Sequence, residues 1–268
     1  MKLTEIRYKN IITKVIFKKI EDEKELEERR REGFTILDNV NERTVFFWNN
    51  RNARRKQSGS LIYWFKKFLD DVGHDKATLL MHTDPKDPHG QDLEYIINHL
   101  ELNKGQVYLS RAKVEPQYLS VMYNICDCTI SISDAEGFGL ATLESLACET
   151  PIIATMTGGL QEQVTDGENW FGIGLEPVSK AIIGSQEIPF IYEDRLSEEA
   201  VVDALKKMHN MSKKERAQLG KAGREHVLKN YSPEKYAKGW EEVFDRVVEQ
   251  HGSWDTRKGY KAWELIEV

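Results

Sequence analysis

An α/β fold with a doubly wound parallel sheet is the architecture that the sequence predicts. Five short apolar runs alternate with amphipathic segments between residues 44 and 165. Strands that alternate with helices in this way form βαβ units and a parallel sheet. Beyond residue 196 the pattern changes to three consecutive helical segments with no strand between them. We therefore expect a Rossmann-like sheet with extra helices at the C-terminal end of the chain.

The elements follow in order along the chain. Short runs rich in β-branched and aromatic residues predict buried strands, at 44–48, 77–81, 106–109, 128–132 and 151–154. Apolar residues three and four positions apart predict amphipathic helices, at 60–73, 91–101, 115–126, 137–148, 158–165, 197–210, 212–229 and 233–250. No internal repeat interrupts this alternation.

Charge divides the chain into three segments. Residues 1–42 include a run at 18–32 that is almost entirely charged, which is typical of a solvated helix or linker. Residues 43–250 contain all the predicted strands and form one domain. Residues 251–268 are a short C-terminal tail.

The composition excludes several classes of protein. The chain has 268 residues, with 38 Lys and Arg against 44 Asp and Glu, and a net charge of −6. This balance argues against a nucleic-acid partner, and no apolar stretch is long enough for a membrane span. No secretory signal is visible, and three cysteines do not make a disulfide framework. We expect a reduced, cytoplasmic protein without a metal, because neither an Asp-x-Asp motif nor a His or Cys pair at ligand spacing occurs.

A cluster of cations follows the first predicted strand. Four of the six residues from Arg51 to Lys56 are Arg or Lys. In open α/β sheets, ligands bind beyond the carboxyl ends of the strands, and these side chains suit phosphate oxygens. The loop is therefore a candidate diphosphate site, with a solvated basic loop as the alternative.

Two acidic residues flank the next candidate site, where the predicted strand 128–132 turns into a helix. Gly137 and Gly139 allow a ligand to approach the backbone, and the helix N-terminus attracts phosphate. Glu136 lies in the loop before the helix, and Glu144 lies within it. Eight helical residues rise about 12 Å, so the two carboxylates could hold hydroxyls at opposite ends of a nucleotide sugar.

Gly158 and Gly159 form a turn between the strand 151–154 and the next predicted helix. This turn could supply backbone contacts to a sugar. An ordinary turn between a strand and a helix remains the alternative.

These motifs together resemble a known family. The sequence Ser133-x-x-Glu136-Gly137-Phe138-Gly139-Leu140, followed by Glu144 and then by Pro151 and Gly158-Gly159, resembles the donor-binding half of retaining GT-B glycosyltransferases of family 4. The resemblance covers residues 44–250. It departs from the family at Ile132, where Pro is usual, and at Glu149, where Gly is usual, and both are structural positions.

The resemblance implies a role for each motif. Arg51 and Lys56 would stabilise the leaving diphosphate, assisted by the helix start at Gly137, Phe138, Gly139 and Leu140. Glu136 would hold the donor sugar and Glu144 the ribose, while Gly158 and Gly159 would contact the sugar. The loop of Arg111 and Val114 would read the base. The donor is then a UDP or GDP sugar, and the acceptor is a hydroxyl of a sugar, lipid or protein glycan.

The resemblance also implies a missing part. GT-B enzymes carry an N-terminal acceptor domain that 43 mostly charged residues cannot build. We therefore expect a donor domain, either excised or natural, that works with a separate acceptor domain or as a homodimer. A stripe of Tyr236, Trp240 and Phe244 is either core packing or such a contact. Two alternative functions stay open: a nucleotide-sugar epimerase of related fold, and an idle binding module.

Overall fold

The computed structural model describes residues 16–259 apart from residues 36 and 38. Its sheet has six strands in the order β3-β2-β1-β4-β5-β6, and every pairing is parallel. The strands are β1 (Thr44–Asn49), β2 (Ala77–His82), β3 (Val107–Ser110), β4 (Cys128–Ser131), β5 (Ile152–Thr155) and β6 (Gly172–Leu175). The predicted fold class is confirmed.

Helices cover both faces of the sheet. They are α1 (Glu23–Gly33), α2 (Ser58–Val72), α3 (Leu93–His99), α4 (Pro116–Asn124), α5 (Leu140–Ala147), α6 (Leu160–Val164), α7 (Glu198–Asn210), α8 (Lys213–Asn230) and α9 (Pro233–His251). Alternate residues of β1 enter two separate core clusters. Phe46 and Trp48 pack with α2 and α7, whereas Val45 and Phe47 pack with α4, α5 and α8.

The described part of the N-terminal segment packs against the second core cluster. Helix α1 itself has no buried residue, as expected of a solvated helix. Phe17 and Phe34 on either side of it are buried against the residues around Tyr123, however. The segment is therefore attached to the sheet on both sides of its charged helix, and the boundary between residues 42 and 43 stays a prediction.

Three strands have no counterpart in the sequence prediction. β6 has two glycines in four residues, which hides the usual β-branched signal. β7 (Ser179–Ile183) and β8 (Ile191–Arg195) form a separate antiparallel hairpin between β6 and α7. Several apolar side chains of this hairpin are exposed: Val178, Ile182, Ile188, Phe190 and Tyr192.

Helix α9 is the least integrated of the described elements. It has no buried residue, and Tyr236, Trp240 and Phe244 are all exposed and contact one another. For the described residues, the interpretation of this stripe as core packing is therefore wrong. Among these same residues no helix is both long and apolar enough to cross a bilayer.

Candidate functional site

The loops that follow β1 and β4 meet at the centre of the sheet. β1 lies between β2 and β4, so the chain leaves it towards one edge and later returns to the other side. At such a reversal the loops border a crevice beyond the carboxyl ends of the strands, which is where open α/β sheets bind ligands. Across it, the backbone amide of Asp134 donates to the carbonyl of Arg55 at 2.8 Å, which joins two of the predicted site segments.

Lys56 and Glu136 form an ion pair in this crevice. Both side chains are largely buried, and Arg55 lies beside them, donating to the Ala135 carbonyl at 2.7 Å. Burial lowers the pKa of Lys56, and the contact with Glu136 offsets this only in part. Burial opposes ionisation of Glu136 as well, but Lys56 and Arg55 outweigh it, so the pKa of Glu136 is lowered.

The other two cations of the loop have partners of their own. Arg51 contacts both carboxylate oxygens of Asp87, at 2.6 and 3.2 Å, and lies 2.7 Å from Nδ1 of His89. Its side chain is 61% exposed. Arg54 forms a two-pronged contact with Glu193 at 2.8 and 2.6 Å. Arg51 and Lys56 therefore belong to the same loop but to different ion pairs.

The glycine turn packs directly against the loop before α5. Gly158 has φ +48°, and a Cβ there would lie 1.9 Å from the carbonyl oxygen of Glu136. A Cβ on Gly159 would lie 2.7 Å from the carbonyl oxygen of Gly137. The amide of Gly159 also donates to the Glu136 carbonyl at 3.3 Å. Only glycine allows this approach, so the structure brings two of the predicted site segments together.

Helix α5 begins at Leu140 rather than at residue 137, because Gly139 at φ +89° ends the loop in a left-handed conformation. No side chain caps this helix start, so its first amides remain available to an anion. Phe138 and Leu140 beside it are exposed, and a Cβ on Gly137 would meet open space. The later helix start also means that the helical rise of eight residues does not describe the separation of Glu136 and Glu144, since residues 137–139 are not helical.

Glu144 lies in a hydrogen-bonded chain that the sequence did not indicate. The hydroxyl of buried Tyr123 donates to Glu144 at 2.8 Å and accepts from Nδ2 of Asn49 at 2.8 Å. Burial raises the pKa of Glu144 to about 7, although the hydrogen bond from Tyr123 opposes the shift. Tyr123 gave no sequence signal of its own, because a buried aromatic residue usually indicates core packing.

Arg111 and Val114 lie apart from this group, in the loop after β3 at the edge of the sheet. Arg111 pairs with Glu94 of α3. The expectation that this loop reads a base stays a prediction. So does the expectation that no metal takes part, although no three described His, Cys, Asp or Glu residues are grouped as metal ligands.

Four of the eight buried side-chain polar atoms that lack a partner among the described residues lie at the carboxyl-terminal edge of the sheet. They lie at or just beyond the ends of β1, β2, β4 and β5, and they are Nδ2 of Asn50, Oγ1 of Thr83, Oγ of Ser133 and Oγ1 of Thr155. Buried polar groups normally have a hydrogen-bond partner. These four groups therefore have unused hydrogen-bonding capacity at this edge.

Known proteins resemble the chain in both sequence and fold. N-acetyl-alpha-D-glucosaminyl L-malate synthase of Bacillus anthracis is 20% identical over 259 residues, which cover 91% of this chain and 61% of the synthase. Among solved structures, sucrose-phosphate synthase of Thermosynechococcus elongatus superposes with a TM-score of 0.65 and 21% identity. Anabaena HepE, in complex with UDP and glucose, gives a TM-score of 0.63 and 14% identity.

The chain spans only part of each relative. It covers 50% of the sucrose-phosphate synthase and 54% of HepE, while 88% and 86% of its own length is matched. Residues 37–226 match the family "Glycosyl transferases group 1", a range that includes every strand found in the described residues and the crevice between the β1 and β4 loops. The chain therefore belongs to the group 1 glycosyl transferases.

Proposed function

We propose that this chain is the donor-binding half of a retaining hexosyltransferase, which takes a hexose from a nucleoside-diphosphate sugar and transfers it to a hydroxyl. The observation that carries the proposal is the Lys56–Glu136 ion pair. It joins the two loops at the crevice of a group 1 glycosyl transferase, beside a helix start with no side-chain cap.

In this proposal Lys56 and Glu136 give up their ion pair, and each binds a part of the donor instead. The diphosphate takes Lys56, because a phosphate oxygen offers it a charge-assisted contact like the one from Glu136. Glu136 is then free to accept hydrogen bonds from hydroxyls of the sugar. As the bond to the sugar breaks, Lys56 and the amides at the start of α5 stabilise the charge on the leaving diphosphate.

The nucleotide end of the donor is assigned to Glu144. Its carboxyl would accept from the ribose hydroxyls, while Tyr123 holds one of its oxygens in place. Anabaena HepE, which was solved with UDP and glucose, supports UDP as the first nucleotide to test, with GDP as the second. A cytoplasmic location remains part of the same proposal.

Transfer also needs a wall that faces the donor. Positioning the acceptor against the reacting carbon can supply roughly 7–11 kcal/mol of the barrier, and closure of the site excludes water. The chain spans about half of the length of the solved relatives. We propose that an acceptor domain, or a second copy of the chain, provides the surface that faces the donor. The exposed aromatic stripe of α9 is the surface offered for this contact.

The proposal is tested by calorimetric titration of UDP, GDP, ADP and their sugars. Wild-type protein should bind one diphosphate, and Lys56→Met should weaken that binding at least about tenfold, the value of one charge-assisted hydrogen bond. Lys66→Met is the matched control, because Lys66 pairs with Asp70 on the surface of α2. If no nucleotide binds, or if both variants bind like the wild type, the proposal is wrong.

Product analysis separates the proposed reaction from the alternatives. A labelled donor incubated with acceptors and the isolated chain should give at most slow release of free hexose. Transfer restored by adding an acceptor domain supports the transferase, whereas an epimerised donor supports the epimerase. Binding without any reaction under both conditions supports the idle module.

A further inference from the structure

The β7–β8 hairpin contacts the same two loops that hold Lys56 and Glu136. Glu193 on β8 binds Arg54 through both guanidinium prongs. Arg195, two residues later, forms an ion pair with Asp134 at 2.9 Å and donates to Glu193 at 3.0 Å. These four charged residues alternate in sign and join the hairpin to the loop after β1 and the loop after β4.

Backbone hydrogen bonds join the same three segments. The amide of Asp194 donates to the carbonyl of Asp134 at 2.8 Å, and the amide of Asp134 donates to the carbonyl of Arg55 at 2.8 Å. Gln57 adds a side-chain contact, since its Nε2 donates to Asp134 at 2.7 Å. Asp134 is therefore fixed from both sides, and the residues adjacent to Lys56 are fixed with it.

Burial makes these contacts difficult to release. The side chains of Asp134 and Glu193 are each only 4% exposed. A buried carboxylate that loses its cation is strongly destabilising, because the charge then lacks both water and a partner. Separating the hairpin from the loops would therefore break the Arg54–Glu193 and Arg195–Asp134 pairs together.

We propose that Glu193 is a positioning residue and that the β7–β8 hairpin is a clamp on the crevice. The clamp holds residues 53–57 against Asp134 and so keeps Lys56 at the place where it meets Glu136. Arg54 belongs to the clamp and not to the diphosphate-binding group. The clamp itself follows from the contacts, whereas its effect on donor binding rests on the proposed function.

The first measurement needs no ligand. Hydrogen exchange is followed at the amides of Lys56, which donates to Ala53, and of Asp134, which donates to Arg55. In Glu193→Gln, which keeps the shape but loses the charge, both amides should exchange at least about tenfold faster than in the wild type, since local opening costs less. Amides within β2 should be unchanged.

Lys180→Ala is the matched control. Lys180 lies on the same hairpin and pairs with Asp194 at 3.7 Å, but its side chain is exposed. This variant should leave both amides at wild-type rates. Arg54→Lys is a second probe, since it keeps the charge and loses the two-pronged geometry, and its exchange rates should lie between those of the wild type and Glu193→Gln.

The second measurement compares a nucleoside diphosphate with its nucleoside, well below the melting temperature of each variant. Glu193→Gln should weaken the diphosphate about three- to tenfold and leave the nucleoside unchanged, an effect that mere loss of stability would not produce. Unchanged exchange at both amides in Glu193→Gln and Arg54→Lys would overturn the clamp. Faster exchange with unchanged diphosphate affinity would overturn the positioning role. Absence of nucleotide binding by the wild type would overturn the proposed function, while the exchange data would still decide on the clamp.

Discussion

Two buried carboxylates, at opposite ends of the sheet, have nearly equal exposure and different surroundings. Asp127, just before β4, is 13% exposed, and Glu136, beyond the other end of β4, is 15% exposed. Asp127 accepts from Arg30 at 2.8 Å and from the Val45 amide at 2.8 Å, and Arg216 lies 3.4 Å away. Glu136 has only the side chains of one neighbouring loop.

The difference teaches that burial alone does not distinguish an ion pair that fixes the fold from one that we propose to bind a ligand. Burial opposes ionisation of Asp127, but Arg30 and Arg216 outweigh it, so its pKa is lowered, as is that of Glu136. The partners of Asp127 come from α1, β1 and α8, and they fix three elements of the fold. The main partner of Glu136 is a lysine whose own pKa burial has lowered, and this pair joins only the loops after β1 and β4.

The largest expected effect is on stability, at Asp127. Asp127→Asn should destabilise the fold by about 3–5 kcal/mol, because Arg30 and Arg216 stay buried without their counter-charge. Nucleotide affinity measured well below the melting temperature should not change. Denaturant unfolding measures the loss, with Asp70→Asn on the surface of α2 as the control, for which under about 1 kcal/mol is expected. Equal losses of unfolding free energy in the two variants would show that the buried contacts of Asp127 stabilise the fold no more than a surface pair does.

The pKa of Glu144 is shifted in the opposite direction from those of Asp127 and Glu136. Its pKa is raised to about 7, so between about pH 4.5 and pH 7 the folded state holds a proton that the unfolded chain has released. Stability therefore falls as the pH rises through this window, by about 3 kcal/mol from this group, and is level above it. Glu144→Gln cannot titrate and should escape that loss.

The measurement is the difference in unfolding free energy between Glu144→Gln and the wild type. Other titrating groups are shared by the two proteins and cancel in the difference. It should grow in favour of the variant from pH 4.5 to pH 7.5. A difference that is constant over this range would show that the Glu144 carboxyl titrates normally.

The next largest effect is expected on ligand binding, at Lys56 and Glu136. Lys56→Ala should weaken binding of the nucleoside diphosphate by roughly 1.5–3 kcal/mol. Glu136→Ala should spare the bare nucleoside diphosphate and weaken only the sugar-bearing donor. Calorimetric titration of both ligands against both variants gives four affinities, and equal losses in all four would contradict the exchange of partners.

The smallest effect is expected at Arg51. This guanidinium is exposed and already paired with Asp87 and His89. Arg51→Gln should lower the melting temperature only slightly, because the backbone amide of His89 still donates to Asp87 at 2.9 Å. Affinity for the diphosphate should fall by about threefold or more, because a phosphate must compete with Asp87 for the same fork. Titration at two salt concentrations measures this. If Arg51→Gln binds the diphosphate as tightly as the wild type at low salt, Arg51 does not contact the diphosphate.

The sequence indicated the crevice better than it indicated the parts that hold it in place. The approach of Gly158 and Gly159 to the Glu136 loop was predictable because close backbone contact demands glycine at short spacing, whereas the ligand role of Glu136 stays a prediction. Glu193 was not predictable, because its partner Arg54 lies 139 residues away and only folding brings them together. β6 was missed since two of its four residues are glycine, and Tyr123 because burial conceals its hydroxyl contacts.

Helix α9 has a consequence for how the molecule unfolds. It has 19 residues and buries none of them, whereas an isolated helix of about 15 residues is marginal in water. We therefore expect its melting to be at most weakly coupled to that of the sheet. Circular dichroism should report an early, gradual loss of helix before the cooperative transition, whose denaturant dependence reflects the surface exposed by the rest of the chain. A single transition for both would mean that the cooperative unit extends to residue 251.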